Sequence, residues 1–314
     1  MSDAASVRPV TAVIVTYQSA RTIGKTLAAA RRCHDEQVLD IVIVDNNSTD
    51  ATREIIGREV GWARVVLSGT NNGFGRGCNI GFAQVTSPYT IFINPDAVVE
   101  PEAIRTMLRF MEGFPKAGIV GPATVCGESA GYTVLQHTSQ RPTPWTILRN
   151  AIPFLRGRSN ICQILPGAPP FPTGWVAGAV FMIRTELMKR LRGFDPRFFL
   201  YWEEMDICRR AEEAGFETWA IGTALAHHVV GASSSADDTR YAGVNIARHY
   251  YQSRYYYMVK HHGILAATVA EVGEYMLLGV RSLADVIRGR GLRRLRPRLQ
   301  ASLLSMPERI SDER

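Results

Sequence analysis

Short apolar runs alternate with longer amphipathic stretches through about the first 120 residues. The apolar runs are rich in Val and Ile, which is typical of parallel strands buried on both faces under crossover helices. This alternation predicts an α/β fold with a doubly wound, mostly parallel sheet and flanking helices. The predicted strands are Val10–Thr16, Asp40–Val44, Ala63–Leu67, Tyr89–Ile93 and Gly118–Gly121. The predicted helices are Thr22–Arg32, Thr49–Glu59 (starting after Ser48), Gly75–Gln84 and Pro101–Phe114 (starting at its proline).

The pattern weakens from residue 123 to residue 173. This stretch is rich in Pro, Gly, Ser and Arg, and it predicts an irregular excursion over the surface. Regular patterns then resume. They predict a strand over Trp175–Arg184, helices over Glu186–Arg192 and Glu204–Ala214 with Gly215 at the end of the second, and a strand from Thr218 towards His227 and His228.

The C-terminal region changes character again. Between residues 281 and 298 seven arginines stand against one acid, Asp285. We expect an amphipathic helix with a polybasic flank, which can dock on an anionic membrane surface. The alternative is that the stripe packs on the preceding domain and the arginines form a solvated face. The apolar stripe consists of Leu265, Val269, Val272, Met276, Val280, Leu283 and Ile287.

Composition narrows the class of protein. The 314 residues are 46% hydrophobic and 21% charged, an ordinary globular balance. The net charge of +7 is concentrated in the Arg-rich tail, so a nucleic-acid-binding body is not expected. Five scattered cysteines without a CxxC pair predict neither a disulfide framework nor a zinc knuckle, and they favour a reducing compartment. With no signal-peptide pattern at the N-terminus, the expected location is cytoplasmic.

Polar, turn-rich clusters follow each of the first four predicted strands. In open α/β sheets, ligands bind beyond the carboxyl ends of the strands, so four such clusters at one edge predict a ligand cleft. The clusters are Thr16-Tyr17, Asp45 to Asp50, Asn71 to Asn79, and Asn94-Pro95-Asp96.

Three charged residues in these clusters suit a phosphorylated ligand. Asp45 can accept hydrogen bonds from a base imide or a ribose hydroxyl, and Arg76 can meet a phosphate. Asp96 is a hard oxygen ligand for a Mg²⁺ or Mn²⁺ ion shared with a diphosphate. The structural alternative for both aspartates is helix capping, Asp45 before the second helix and Asp96 ahead of Pro101.

A second cluster places three acids in four positions after an aromatic run. Glu203, Glu204 and Asp206 stand at a predicted helix start, where the helix dipole alone favours acids. Adjacent carboxylates beside apolar rings also suit a general base that works near neutral pH. Downstream, His227 and His228 end a strand, and they are candidate ligands for the same cation. The structural alternative is a histidine pair that serves packing or solvation.

These segments, in this order, resemble the inverting glycosyltransferases of family 2, which have a GT-A fold. The branch most similar to them is the rhamnosyltransferase-like one that builds bacterial cell-wall and surface polysaccharides. The resemblance covers about residues 8–262 and implies a GT-A domain over 1–262, with a nucleotide-sugar half at about 8–122 and an acceptor half at about 174–262. The change of pattern from Ile264 onward predicts a separate helical, Arg-rich tail at 263–314. The segments are VIVTY, VDNNSTD, NNGFGRGCN, INPDA, GWVAGAVFMIR, GFDPRFFLYWEEMDICRRAEEAG and AHH.

The resemblance also implies a role for single residues. Asp96 occupies the last position of the family's DXD motif and would ligate the metal with His228, His227 being the alternate. Asn94 replaces the first acid of that motif. Glu204 stands at the position of the family's base, with Glu203 as the alternative. Thr16, Tyr17, Asp45, Asn71 and Gly73 would hold the nucleotide, and Trp175, Gly178 and Ala179 would line the sugar and acceptor side.

The implied activity is transfer of a sugar, L-rhamnose from dTDP-L-rhamnose being the first expectation, to a saccharide that can be lipid-linked. UDP-galactofuranose and UDP-GlcNAc are alternative donors. The expected cofactor is a divalent cation, Mg²⁺ or Mn²⁺, and the expected location is the cytoplasm or the cytoplasmic face of the inner membrane. The competing classes are a non-catalytic relative and a basic nucleic-acid- or nucleotide-binding α/β protein.

Overall fold

The computed structural model describes residues 8–126, 133–134, 137–139, 141–152, 155, 161–228, 239–287, 289, 296–299 and 304–307. The chain forms two compact units. The predicted division into a domain over 1–262 and a tail over 263–314 stays a prediction. The first unit comprises Met1–Gln140, Ile161–Asp195 and Glu204–Ser233, and the second comprises Arg141–Asn160, Pro196–Glu203 and Ser234–Arg314.

Strands build the centre of the first unit. They are β1 (Val10–Thr16), β2 (Leu39–Asp45), β3 (Arg64–Leu67), β4 (Tyr89–Ile93), β5 (Ala97–Val99), β6 (Ala117–Cys126), β7 (Thr133–Val134), β8 (His137–Ser139), β9 (Ile161–Gln163), β10 (Phe171–Thr173), β11 (Val180–Arg184) and β12 (Glu217–His228).

The main sheet has the strand order β10-β12-β6-β11-β4-β1-β2-β3, with β5 paired to β12 and β7 paired to β6. Along this path only β10 and β11 run against the other strands. The predicted mostly parallel sheet is therefore confirmed. Strands β8 and β9 pair separately.

Helices cover both faces of this sheet. Side chains of α1, α2 and α4 share one core layer with Ile14 and Ile43, while those of α3, α6 and α7 share the other layer with Val13 and Val44. Alternate residues of a strand thus point into opposite core layers, which is the doubly wound arrangement that was predicted.

The helices of both units, as far as the chain is described, are α1 (Ile23–Asp35), α2 (Thr52–Glu59), α3 (Gly73–Phe82), α4 (Pro101–Gly113), α5 (Pro144–Ala151), α6 (Thr185–Arg190), α7 (Glu203–Glu213), α8 (Thr239–His262), α9 (Ile264–Ile287) and α10 (Arg296–Leu299).

Two local predictions about the first half were wrong. Strand β3 is not buried on both faces, since Leu67 is 62% exposed, because β3 lies at the edge of the sheet. Ser48 does not start α2, which begins at Thr52. The Ser48 hydroxyl instead accepts a hydrogen bond from the Gln18 N–H at 3.1 Å and ties two loops together.

The region after β6 is more regular than predicted. Strands β7 to β10 and helix α5 lie within residues 123–173. Strand β6 itself continues to Cys126, because it pairs with β12 as far as Val125 and with β7 at its end. Conversely, the strand predicted from Trp175 starts only at Val180. Val180 pairs with Ile93, the last residue of β4, so the chain before it has no neighbouring strand with which to pair.

In the second unit, α9 packs against α5 and α8. The carboxylate of Glu271, fully buried on α9, accepts hydrogen bonds from Arg254 at 2.8 and 2.7 Å and another from Arg298. Arg298 is only 1% exposed and pairs with a buried acid, so the prediction that it belongs to the polybasic flank was wrong. Arg288, Arg290, Arg293 and Arg294 of that flank lie outside the described residues. None of the described helices is both long and apolar enough to cross a membrane.

Candidate active site

Backbone pairing aligns the carboxyl ends of four neighbouring strands. Thr16 of β1 stands opposite Asp45 of β2, and Asp45 stands opposite Leu67 of β3. On the other side of β1, Ile14 stands opposite Ile93 at the end of β4. The four polar clusters that follow these strands therefore start from one edge of the sheet.

Asp45 is a buried carboxylate at this edge. Its Oδ2 accepts hydrogen bonds from Arg53 Nε at 2.6 Å and from the Ser48 N–H at 3.1 Å, and its Oδ1 accepts one from Thr16 Oγ1 at 3.3 Å. Burial raises the pKa of Asp45, but hydrogen bonds from Ser48 and Arg53 outweigh that effect and hold the pKa below its ordinary value. Asp45 is thus ionised at neutral pH. It does not cap α2, which starts seven residues later at Thr52.

Asn46 is a structural residue of this site that the sequence analysis missed. Its side-chain N–H groups donate to Asn71 Oδ1 and to the Gly73 carbonyl, both at 3.0 Å. Its Oδ1 accepts from the Asn72 N–H and from Ser68 Oγ, both at 3.1 Å. One buried amide therefore holds the loop after β3, which carries two of the predicted donor-binding residues. Asn46 lies inside the segment VDNNSTD, but its residue type alone does not distinguish it from other loop asparagines.

The other donor-side candidates lie nearby in the same unit. Tyr17 is 42% exposed directly after β1, which leaves its ring accessible. Arg76 lies near the start of α3, and Gly73 begins that helix with a φ of +76°, a left-handed conformation that favours glycine.

Strand β12 brings a histidine to the Asp96 carboxylate. It pairs antiparallel with β5 so that His228 stands opposite Ala97, the residue after Asp96. His228 Nε2 lies 2.9 Å from Asp96 Oδ1, although the two residues are 132 positions apart in the chain. His227, the alternate candidate, is exposed.

The predicted acceptor-side residues connect the loop after β4 to Glu204. The Asn94 N–H donates to the Ala179 carbonyl at 2.9 Å. A Cβ placed on the neighbouring Gly178 would lie 3.7 Å from Glu204 Cβ, so this turn packs directly on the acid. Trp175 is half-buried and packs against the core layer of α3, α6 and α7.

The start of α7 carries backbone strain. Tyr201 and Trp202, which immediately precede Glu203, have φ angles of +67° and +73°. Aromatic residues rarely adopt this conformation, and it costs about 1–3 kcal/mol at each position. Glu203 itself is only 4% exposed.

A second missed residue, Asn79 on α3, fixes the turn before this region. Its side chain donates to the Phe194 carbonyl and accepts from the Phe194 N–H, both at 2.8 Å. Gly193 has a φ of +73°, and a Cβ there would lie 2.4 Å from Asn79 Oδ1. The close approach explains why glycine begins the GFDPRFF segment.

Comparison with protein families decides the class of this chain. The sequence profile of glycosyl transferase family 2 matches residues 11–171, slightly more than half of the chain. The chain belongs to glycosyl transferase family 2. It is therefore a glycosyltransferase, and the predicted family is confirmed.

Individual relatives agree with the predicted branch. N-acetylglucosaminyl-diphospho-decaprenol L-rhamnosyltransferase of Mycobacterium tuberculosis strain H37Rv is 25% identical over 269 residues, which cover 80% of this chain and 84% of the relative. Rhamnosyltransferase WbbL of Escherichia coli K12 is 26% identical over 190 residues, covering 58% and 69%. Both names support the resemblance to rhamnosyltransferases.

Among solved structures, the mannosyltransferase PcManGT of Pyrobaculum calidifontis, determined with GDP-Man and Mn²⁺, superposes with a TM-score of 0.56. The match is 14% identical in sequence and covers 91% of this chain and 76% of that chain. It shows that the fold is of the GT-A type, as predicted.

We expect Asn46→Ala to lower the free energy of unfolding by about 1–3 kcal/mol, because the change removes all four hydrogen bonds of a buried amide, one of them to the buried Gly73 carbonyl. Amide hydrogen exchange at Asn72 and Gly73 should accelerate as their loop loosens. The measurements are urea denaturation and exchange followed by mass spectrometry. Thr49→Ala is the control, since it removes a single exposed hydrogen bond from Gln18 in the adjacent loop. Equal stability of both variants would contradict the role given to Asn46.

Proposed function

We propose that this family 2 glycosyltransferase is an inverting hexosyltransferase that transfers L-rhamnose from dTDP-L-rhamnose to a lipid-linked saccharide. The observation that carries the proposal is the 2.9 Å approach of His228 to Asp96 in the same unit as Glu204. The relatives support the choice of sugar, since two are named rhamnosyltransferases. The name of the mycobacterial relative supports a lipid-linked acceptor of the diphospho-decaprenol class, and hence cell-wall or surface-polysaccharide synthesis.

The donor would occupy the edge formed by β1 to β4. Asp45, held ionised, would accept hydrogen bonds from the nucleoside, and the exposed Tyr17 ring would pack against the base. Arg76 would pair with the diphosphate. Thr16, Asn71, Gly73 and Asn94 would complete the donor site.

The Asp96–His228 pair fits a divalent cation. A carboxylate oxygen and an imidazole nitrogen already lie within 2.9 Å of each other, and Asp96 is 5% exposed. No group of three or more His, Cys, Asp or Glu side chains suited to a metal occurs among the described residues. A two-ligand set suits an ion that shares its coordination with substrate phosphates. When bound, Mg²⁺ or Mn²⁺ would neutralise negative charge on the leaving nucleoside diphosphate.

Glu204 is the proposed base because Gly178 packs on it and the adjacent Ala179 bonds to Asn94. The Glu204 carboxylate would accept the proton of the acceptor hydroxyl. The hydroxyl oxygen would then form a bond to the anomeric carbon while the bond from that carbon to the diphosphate oxygen breaks. Attack from the face opposite the leaving group inverts the configuration. The transition state would resemble an oxocarbenium ion, as in glycoside hydrolysis.

The proposed location is the cytoplasmic face of the membrane, where a soluble nucleotide sugar and a lipid-linked acceptor can meet. Binding of the tail to anionic lipid belongs to this proposal.

A panel of donors tests the proposed function. With Mn²⁺ present, we expect dTDP-L-rhamnose to raise the melting temperature more than UDP-galactofuranose or UDP-GlcNAc, because a bound ligand stabilises the folded state. Slow hydrolysis of that donor, followed by NMR of the sugar released, should show inverted anomeric configuration. If either UDP-sugar raises the melting temperature more, that nucleotide sugar is the donor and not dTDP-L-rhamnose. Absence of any shift or hydrolysis would favour a non-catalytic protein.

The base assignment predicts that Glu204→Gln lowers kcat about a hundredfold or more, the usual contribution of a general base. The amide keeps the size of the side chain but cannot take the proton, so donor affinity should barely change. Glu203→Gln is the matched comparison, measured by the same transfer assay and donor titration. If Glu203→Gln loses kcat and Glu204→Gln does not, the base is Glu203.

The cation site predicts that Asp96→Ala and His228→Ala each weaken Mn²⁺-dependent donor binding. The double variant should be little worse than either single one, because both residues serve one site. His227→Ala is the control, since His227 is the exposed neighbour on β12. Calorimetric titration of the donor with and without Mn²⁺ measures how much the cation strengthens donor binding in each variant. Full transfer activity of the unaltered protein in excess EDTA would refute the cation site.

A further inference from the structure

Helix α9 exposes an apolar stripe along its length. Six large side chains, spaced three, four or seven residues apart and so on one helix face, have more than half of their surface open to solvent. Their exposed fractions are Leu265 77%, Val269 56%, Met276 65%, Val280 70%, Leu283 63% and Ile287 79%. Within the described part of the second unit, no other element covers these side chains.

The charged residues of α9 lie on its opposite, inner face. Glu271 and Asp285 are 0% and 7% exposed, and Glu274 accepts hydrogen bonds from Arg254. Arg281 donates to the Ala151 carbonyl at the end of α5 at 2.5 Å. The helix thus turns its charges towards the protein and its apolar side chains outwards. A helix whose outer face meets water has the opposite arrangement, with its apolar side chains inside and its charges outside. A contiguous exposed apolar surface of this kind marks an interaction site.

We propose that the α9 stripe, which comprises the six residues above, docks on the surface of an anionic lipid bilayer. The proposal deepens the proposed function, because a lipid-linked acceptor would lie in the same interface. It also replaces the simpler expectation of a free polybasic arm, since Arg298 is committed to Glu271.

Basic residues near both ends of the stripe favour an anionic lipid surface as the partner that covers it. Lys260, His261 and His262 form the last turn of α8, just before α9. After α9 the sequence carries arginine at 288, 290, 293, 294 and 296, and it has no acid between Asp285 and Glu308. Anionic head groups would be attracted to both ends, each arginine near such a surface contributing about 1 kcal/mol.

A second copy of the chain fits this charge pattern poorly. In a parallel pair of α9 helices, the two arginine runs would face each other. In an antiparallel pair, each arginine run would face the positively charged Lys260 of the other copy. Both arrangements place like charges together, which weakens association.

Vesicle flotation of the full chain tests the proposal. The probes are vesicles of phosphatidylglycerol and phosphatidylcholine in equal amounts, and vesicles of phosphatidylcholine alone, each at low and high salt. We expect binding to the anionic vesicles that weakens with salt. The combined variant Leu265→Gln, Met276→Gln, Val280→Gln and Leu283→Gln should lower the partition coefficient about tenfold or more.

A matched control separates the stripe from general surface apolarity. Leu67→Gln with Leu165→Gln replaces side chains that are 62% and 53% exposed in the first unit, and it should bind vesicles like the unaltered chain. Since glutamine favours helix and the stripe is exposed, circular dichroism should show unchanged helicity in the stripe variant. A second variant, with glutamine at the five arginine positions, should lose the salt-dependent part of binding while keeping the stripe.

Equal vesicle binding by the stripe variant and the unaltered chain would overturn the proposal. So would a dimer, seen by light scattering without lipid, that the stripe variant dissociates while vesicles fail to bind either protein. Hydrolysis of the donor without lipid distinguishes this failure from failure of the proposed function, because the stripe takes no part in the donor site. Vesicle binding without donor hydrolysis would leave the docking surface intact and refute only the enzyme mechanism.

Discussion

Parallel, in-register pairing of β1 with β2 and β4 is the constraint on which the donor side of the site depends. Backbone hydrogen bonds place Thr16 beside Asp45 and align the end of β4 with them. These strands are buried on both faces, so a slip of one residue would exchange the side chains of the two core layers. The register is therefore strongly specified by packing. The register also sets where the polar clusters begin, and hydrogen bonds from Asn46 hold the loop after β3 at the same edge of the sheet.

The Asp96–His228 pair needs a second constraint, because no parallel register supplies it. Strand β12 follows β6 in parallel and then pairs with β5, and its register with β6 shifts between Ile221 and Leu225. Such an irregularity bends a strand. Gly222 lies inside it, where a Cβ would approach the Ala168 carbonyl oxygen to 2.5 Å. A larger residue would clash with backbone there, so the path that carries His228 to Asp96 requires a glycine.

In the second unit, the constraint is a buried set of ion pairs around Glu271 of α9. Removing either partner of the Arg254–Glu271 pair would disrupt a buried cluster of charges, in which Arg254 also pairs with Glu274 and Glu271 also pairs with Arg298, and the loss would destabilise the unit. Arg298 contacts the same carboxylate, and its guanidinium lies over the Tyr251 ring at 4.3 Å. With Glu271 fixed inwards, the helical period turns the apolar stripe of α9 outwards. The proposed lipid-facing surface is thus a consequence of where the charges of the helix are buried.

The sequence by itself determined the fold class, the first four strands and the family, because each rests on local information. Buried parallel strands need continuous Val/Ile runs, and the polar loops that follow them can be recognised from residue type alone. Tertiary structure decided the rest. It gave Asn46 and Asn79 their roles, since an asparagine becomes a positioning residue only when a distant backbone comes within 3 Å of its amide. It brought His228, which the family resemblance already favoured over His227, to within 2.9 Å of Asp96 through the pairing of β12 with β5. It also turned the apolar stripe of α9 outwards, because a helical stripe shows which residues share a face, whereas the partners of the opposite face decide which side meets the protein.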